Sequence, residues 1–164
     1  VVVLGWDPTD THTTNFWEEL ASVELDSTAD ELSSGTFTAK KYLWVQYYVK
    51  KTGTANTRWR FNDDDQSNYS SRSHVLNNWA VQTNQTTFFT HGDTSGNAFG
   101  NMFIINNSSF EKLVIPQEVS DTVGRYNGVA KWDNTSSQIT SIKLMNTDTG
   151  GFQSGTIMKV WGSN

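Results

Sequence analysis

The sequence predicts an all-β protein, an antiparallel two-sheet sandwich of jelly-roll-like form with about nine to ten strands. Three observations carry that expectation. Apolar residues recur with a period of two along most of the chain, the spacing of a pleated strand and not of a helix. Turn-forming clusters (KTGTAN, NDDDQSN, HGDTSGN, NNSS, DNTSS and NTDTGG) separate these stretches at intervals of roughly a dozen residues. The chain carries 21 Thr, 17 Ser and 15 Asn against 12 Lys plus Arg, with seven Trp and only two Pro, a mixture suited to sheets joined by small polar turns.

The elements follow in order. VVVLGWDP opens with four large apolar residues, Val1, Val2, Val3 and Leu4, and stops at Pro8, which cannot donate to a strand ladder. This opening resembles the closing stretch TIMKVWGSN, an apolar run that also reaches a glycine. Residues 1–15 are therefore expected to be an N-terminal extended strand or linker. Val1, Val2, Val3 and Leu4 would form an interface, paired with a sheet edge in their own domain or in a neighbouring copy. The polar run Thr9 to Asn15 would act as the hinge, and residues 16–164 would form the sandwich. The start at Val1, without a basic leader or an A-x-A site, suggests a processed product, an excised domain or a chain whose true start lies further upstream.

FWEELASVELD places Trp17, Glu19, Ala21, Val23 and Leu25 on one face, so it reads as a strand. KYLWVQYYVKK has Leu43, Val45, Tyr47 and Val49 on one face and Tyr42, Trp44, Gln46 and Tyr48 on the other, which predicts a central strand covered on both sides. TRWRFN alternates arginines with Trp59 and Phe61, a half-exposed strand. NAFGNMFIINN, EKLVIPQEV, RYNGVAKWDN, TSIKLMNTD and TIMKVWGSN complete the set. No amphipathic stretch is long enough to predict a helix.

Charge and composition narrow the partners. The formal net charge is -5 and the pI about 5.0, which disfavours nucleic acid. No apolar run approaches the ~20 residues of a membrane span, so no membrane insertion is expected. With no cysteine there is no disulfide and no thiolate chemistry.

Few residues carry a chemical signature. Asp63 and Asp65, in FNDDDQSNYS, are the candidate calcium ligands, because alternating acidic side chains in a loop can supply oxygens to that ion. The glycine and glutamate of an EF-hand loop are missing, and a solvated loop is the simpler reading. No other cofactor is expected. His12, His74 and His91 are scattered without metal spacing. Glu18 and Glu19 adjoin and so face opposite sides of a strand, unlike a glycosidase pair. No nucleophile elbow, phosphate loop or dinucleotide fingerprint occurs, so no enzyme is expected. Trp79 and Trp132 lie near polar loops and are candidates for stacking against sugar rings, with core packing as the competing role. Five N-x-[ST] sequons, at Asn68, Asn84, Asn106, Asn107 and Asn134, matter only on a glycosylating secretory route.

RWRFNDDDQSNYSSR carries an R-F-N-x-D…N-Y…R stretch. Around it stand FWEELASVELDS, FTAKKYLWVQYYV, FEKLVI and VAKWDNTSSQIT. Over residues 16–162 this pattern resembles a β-sandwich module of virion structural proteins from tailed phages and related viruses. The chain departs from it at Asp63-Asp64-Asp65, where a shorter, less acidic turn is expected. The module's last strand often reads as valines, Leu, Gly and a polar residue, and VVVLGWD is similar to that ending. The resemblance implies a non-enzymatic virion structural protein, a component of the capsid surface (decoration), a fibre or a tail. Its partners would be copies of itself, as a homo-oligomer, and other virion proteins, and its location the virion or the extracellular space. The alternatives from the residues are a carbohydrate-binding module that engages surface glycans and an extracellular filament subunit held by strand exchange.

Overall fold

A computed structural model of the chain describes residues 16–164 apart from 54, 76, 77, 95, 122 and 123. The predicted N-terminal strand, with its interface residues Val1, Val2, Val3 and Leu4, lies outside the described residues. Fourteen strands and no helix are described. They are β1 (Glu18–Glu24), β2 (Glu31–Ser33), β3 (Tyr42–Val49), β4 (Lys51–Thr52), β5 (Ala55–Phe61), β6 (Tyr69–Val75) and β7 (Asn78–Gln85). Then come β8 (Phe88–Thr94), β9 (Ala98–Ile105), β10 (Lys112–Ser120), β11 (Gly124–Trp132), β12 (Ile142–Met145), β13 (Gly151–Phe152) and β14 (Ile157–Ser163).

The expected all-β sandwich is observed, with more strands than the sequence suggests. An eight-stranded sheet runs in the order β1-β14-β3-β9-β10-β11-β6-β7, and a four-stranded sheet in the order β2-β12-β5-β8. β13 and β4 make a small third ladder. All pairings are antiparallel. The chain crosses repeatedly from one large sheet to the other, in the manner of a jelly roll. Part of the excess consists of strands of two or three residues, β2, β4 and β13. The rest comes from β6, β7 and β8, whose Ser-, Asn- and Thr-rich sequence has little apolar alternation to announce a strand.

The core lies between the two sheets. Leu43, Val45, Tyr47 and Val49 of β3, Met102 and Ile104 of β9, and Val160 of β14 face Trp59 and Phe61 of β5 and Ile142 and Leu144 of β12. The expected double cover of β3 holds on one side only. Tyr42 is exposed, and Trp44, Gln46 and Tyr48 are half-buried. The physical reason is that the four-stranded sheet covers one face of the larger sheet, and among the described residues no layer lies on the other.

One polar row crosses the core. Tyr47, Gly100 and Glu118 stand directly opposite one another on β3, β9 and β10. Tyr47 reaches over the glycine and its hydroxyl donates to Glu118 Oε2 at 2.8 Å. A Cβ at Gly100 would lie 2.4 Å from the Tyr47 ring, so only glycine leaves the path open. From the facing sheet Thr90 donates to the same oxygen at 2.8 Å, and Trp59 Nε1 donates to Thr90 Oγ1 at 3.1 Å. Burial pushes the Glu118 carboxyl above its ordinary pKa, and the two hydroxyl donors and the Lys51 charge offset only part of that. The network ties the two sheets together.

Candidate functional site

The outer face of the eight-stranded sheet is built by the alternate residues of each strand, those pointing away from the core. Antiparallel register stacks them into rows that run across the strands. In the first row Trp161, Trp44, Phe103 and Ile115 are direct neighbours on β14, β3, β9 and β10. The Trp44 and Trp161 ring centroids are 5.5 Å apart. Trp17 leans over the row, 6.2 Å from Trp44 and 6.3 Å from Phe103 in edge-on geometry. Tyr42 stacks on Phe103 at 6.1 Å, and Phe16, 79% exposed, touches Trp17 edge-on. Such pairs sit in the favoured range for aromatic contacts, and here they are open to water on one side.

The second row is polar. Gln46, Asn101, Gln117, Asn127, His74 and Trp79 are successive direct neighbours on β3, β9, β10, β11, β6 and β7. The third row is Tyr48, Phe99, Val119 and Arg125 on β3, β9, β10 and β11. A line of carboxamides is thus flanked by apolar and aromatic groups. Two open depressions lie along it and share Asn127. One, of about 420 Å³, is bordered by Phe99, Asn101, Gln117, Val119 and Arg125. The other, of about 330 Å³, is bordered by Arg72, His74, Trp79 and Val129.

The acidic loop is tied into the fold by side-chain contacts. Asn62 and Asp63 sit at φ of 51° and 53°, a left-handed turn that ends β5. The Asn62 side-chain oxygen accepts from the Thr140 and Ser141 amides at 2.8 and 3.1 Å, pinning the approach to β12. Asp63 pairs with Lys143 at 2.6 Å, and Asp65 accepts from Gln66 Nε2 at 2.7 Å, so the two candidate calcium ligands are engaged separately. Among the described residues no group of three or more His, Asp or Glu side chains is placed to hold a metal ion. The residue between them is structural. Burial raises the Asp64 carboxyl, but donors from Asn68, Trp132 and Gln66 outweigh it and hold its pKa below the usual value.

The two candidate stacking tryptophans separate. Trp79 is 67% exposed and stands at the end of the polar row. Its ring lies under the Arg72 guanidinium at 5.2 Å and beside His74 at 4.9 Å. Trp132 is corrected: it is fully buried, its Nε1 donates to Asp64 Oδ2 at 2.6 Å, and its ring packs against Phe61. It shares the inward pleat of β11 with Tyr126 and Ala130, so no ring face is left for a sugar. Among the sequons, Asn106 is fully buried and its amide is bonded to Lys40 O, Ile139 O and Ile139 N, so it cannot carry a glycan.

The carboxamide row was not anticipated. Its signal is one amide at an outward position of each of three successive strands: Asn101 in NAFGNMFII, Gln117 in KLVIPQEV and Asn127 in RYNGVAKW. That these fall side by side depends on interstrand register. Compared with protein families, with curated proteins and with solved structures, the chain finds no match.

Proposed function

We propose that this chain is a non-enzymatic structural module of a virion surface, fibre or tail, and that it assembles with copies of itself through the aromatic half of the large sheet's outer face. The observation that supports this reading is the aromatic cluster on a broad sheet face, with Phe16 and Tyr42 exposed and Trp17, Trp44, Phe103 and Trp161 half-buried beside them. Contiguous apolar patches of this kind mark interaction surfaces, and Trp and Tyr dominate the energetics of interface centres. The rim favours a second copy as the occupant. Glu18 pairs with Lys40 at 2.7 Å and Glu19 with Lys159 at 3.9 Å, so the border carries both signs already matched and does not repel its own kind. A two-fold axis would lay the aromatic patch on its like. The resemblance of RWRFNDDDQSNYSSR and its neighbours to virion modules supports the setting, on the particle or outside the cell.

Sedimentation velocity over a concentration series tests the reading. The wild-type chain should associate as concentration rises, and the double variant Trp17→Ser, Phe103→Ser should stay monomeric with an unchanged far-ultraviolet spectrum. A wild-type chain that remains monomeric up to millimolar concentration would sink the proposal, as would a variant that associates just as well.

A further inference from the structure

The other half of the outer face has a different character. From β9 to β7 the row Asn101, Gln117, Asn127, His74 and Trp79 crosses four strand spacings, roughly 19 Å. Carboxamides donate and accept at once, as sugar hydroxyls do, so a line of three adjacent ones can pair with vicinal hydroxyls without choosing a donor or an acceptor role. Trp79 supplies an open ring at one end, and Phe99, 54% exposed, with Val119 supplies an apolar border at the other. These are the complementary parts for a sugar ring, whose C–H faces are apolar and whose equator is polar.

Two guanidiniums add a charge requirement. Arg125 lies two residues before Asn127 on the same face of β11, and Arg72 two residues before His74 on β6, so they flank the amide row from opposite sides. With its amide oriented to satisfy both ends, Asn127 accepts from Arg125 Nε at 3.1 Å and donates to Tyr126 O at 3.1 Å. That contact holds the guanidinium at the edge of the depression. Among the described residues the ion pairs are all made by lysines, and neither arginine meets a carboxylate. Two exposed, uncompensated guanidiniums on one face of a chain of net charge -5 form a local site for an anion. A planar fork suits a carboxylate in particular.

We infer that the groove along Asn101, Gln117 and Asn127, with Arg125 at its edge and Trp79 at its end, binds an acidic saccharide, one bearing a sugar carboxylate such as a sialic or uronic acid. The carboxylate is received by Arg125, the hydroxyls by the amide row, and a ring face by Trp79. A peptide would instead add to a sheet edge through its backbone, and the middle of a face offers no free ladder.

The full chain is titrated by calorimetry with 3′-sialyllactose and with trigalacturonate, using lactose and cellotriose as neutral counterparts. At least one acidic probe should bind, with the neutral probes weaker by about tenfold or more, the usual scale for losing a charge-assisted bond. Arg125→Ala and Asn127→Ala should each weaken that binding about tenfold or more with an unchanged melting temperature. Arg125→Gln and Asn127→Asp serve as second variants if either alanine form is unstable, and the aspartate should repel the acidic probe. The inference is overturned if neither acidic probe binds at millimolar concentration, if the neutral probes bind equally well, or if well-folded variants bind like wild type. Self-association is carried by the other half of the face, so it stands or falls separately.

Discussion

Tyr47 and Tyr48 are neighbours in sequence and opposites in circumstance. Tyr47 points inward, is buried, and spends its hydroxyl on Glu118, with its phenol pushed far above the ordinary range by burial and by that carboxylate. Tyr48 points outward on the same strand and is half-exposed in a row with Phe99 and Val119. The contrast extends over the whole large sheet. Both faces are rich in aromatic residues, but one is sealed by four strands and the other is bare among the described residues. What makes a core is the layer opposite, not the composition of the strand. An outer face built like an inner one therefore calls for a partner.

The largest expected effect tests the contrast directly. Trp59 is fully buried, 4.7 Å from the Tyr47 ring, and Trp59→Ala should cost about 3–5 kcal/mol as a cavity in the core. Trp44→Ala, on the outer face, should cost less, about 2 kcal/mol, because its ring is half-buried and part of it is already in water. Urea denaturation of the two variants, at a concentration low enough to keep both monomeric, measures both. Equal losses would mean that the outer face is packed as tightly as the inner one.

Next comes the glycine beneath Tyr47. A Cβ at Gly100 would also stand 2.8 Å from Gln117 O, which cannot move without breaking the ladder. Gly100→Ala should cost about 1–3 kcal/mol by overpacking and should displace Tyr47 from Glu118. A neutral result would show that the inter-sheet network tolerates slack.

A smaller effect appears as a pH dependence. The folded Glu118 pKa is raised above its unfolded value, mainly by burial. Between the ordinary glutamate value of about 4.3 and the raised one, the folded state binds more protons than the unfolded state. Its contribution is therefore fully present below the unfolded pKa and is lost as pH rises through the folded pKa. Glu118→Gln has no such proton to lose, so its stability relative to wild type should grow as pH rises across that window. A difference that stays flat, or runs the other way, would remove Glu118 as the titrating group.

The inner face was legible in the sequence because period-two alternation names it: LWVQYYV and RWRF each show their inward residues correctly. Even Trp132 could have been phased, since Arg125, Asn127, Val129 and Lys131 are the more polar set of RYNGVAKW and leave Trp132 on the inward side. The doubly apolar pattern of β3 misled for a physical reason, because an outer face awaiting a partner reads like a buried one. The amide row was illegible because it needs five pairings in register, and a one-residue slip in any of them would turn that strand's amide to the other face. β6 to β8 escaped because their sequences, YSSRSHV, NWAVQTNQ and FFTHGDT, show little apolar alternation.

The smallest expected effect lies at the outermost ring. Trp79 is the same residue type as Trp59, carries the same indole, and stands at the end of the last strand of the sheet. Its described contacts are with Arg72 and His74, on one side. An exposed cation–π contact is worth about 0.5–1 kcal/mol, so Trp79→Ala should cost no more than that. Set against the 3–5 kcal/mol expected for Trp59→Ala, the difference measures what a covering layer contributes to an otherwise identical side chain. The same variant should lose affinity for the acidic probe while keeping its melting temperature, because a platform ring works for a ligand and not for the fold. A loss of stability comparable to that of Trp59→Ala would show that the ring is packed, and would close the contrast between the two faces at this edge.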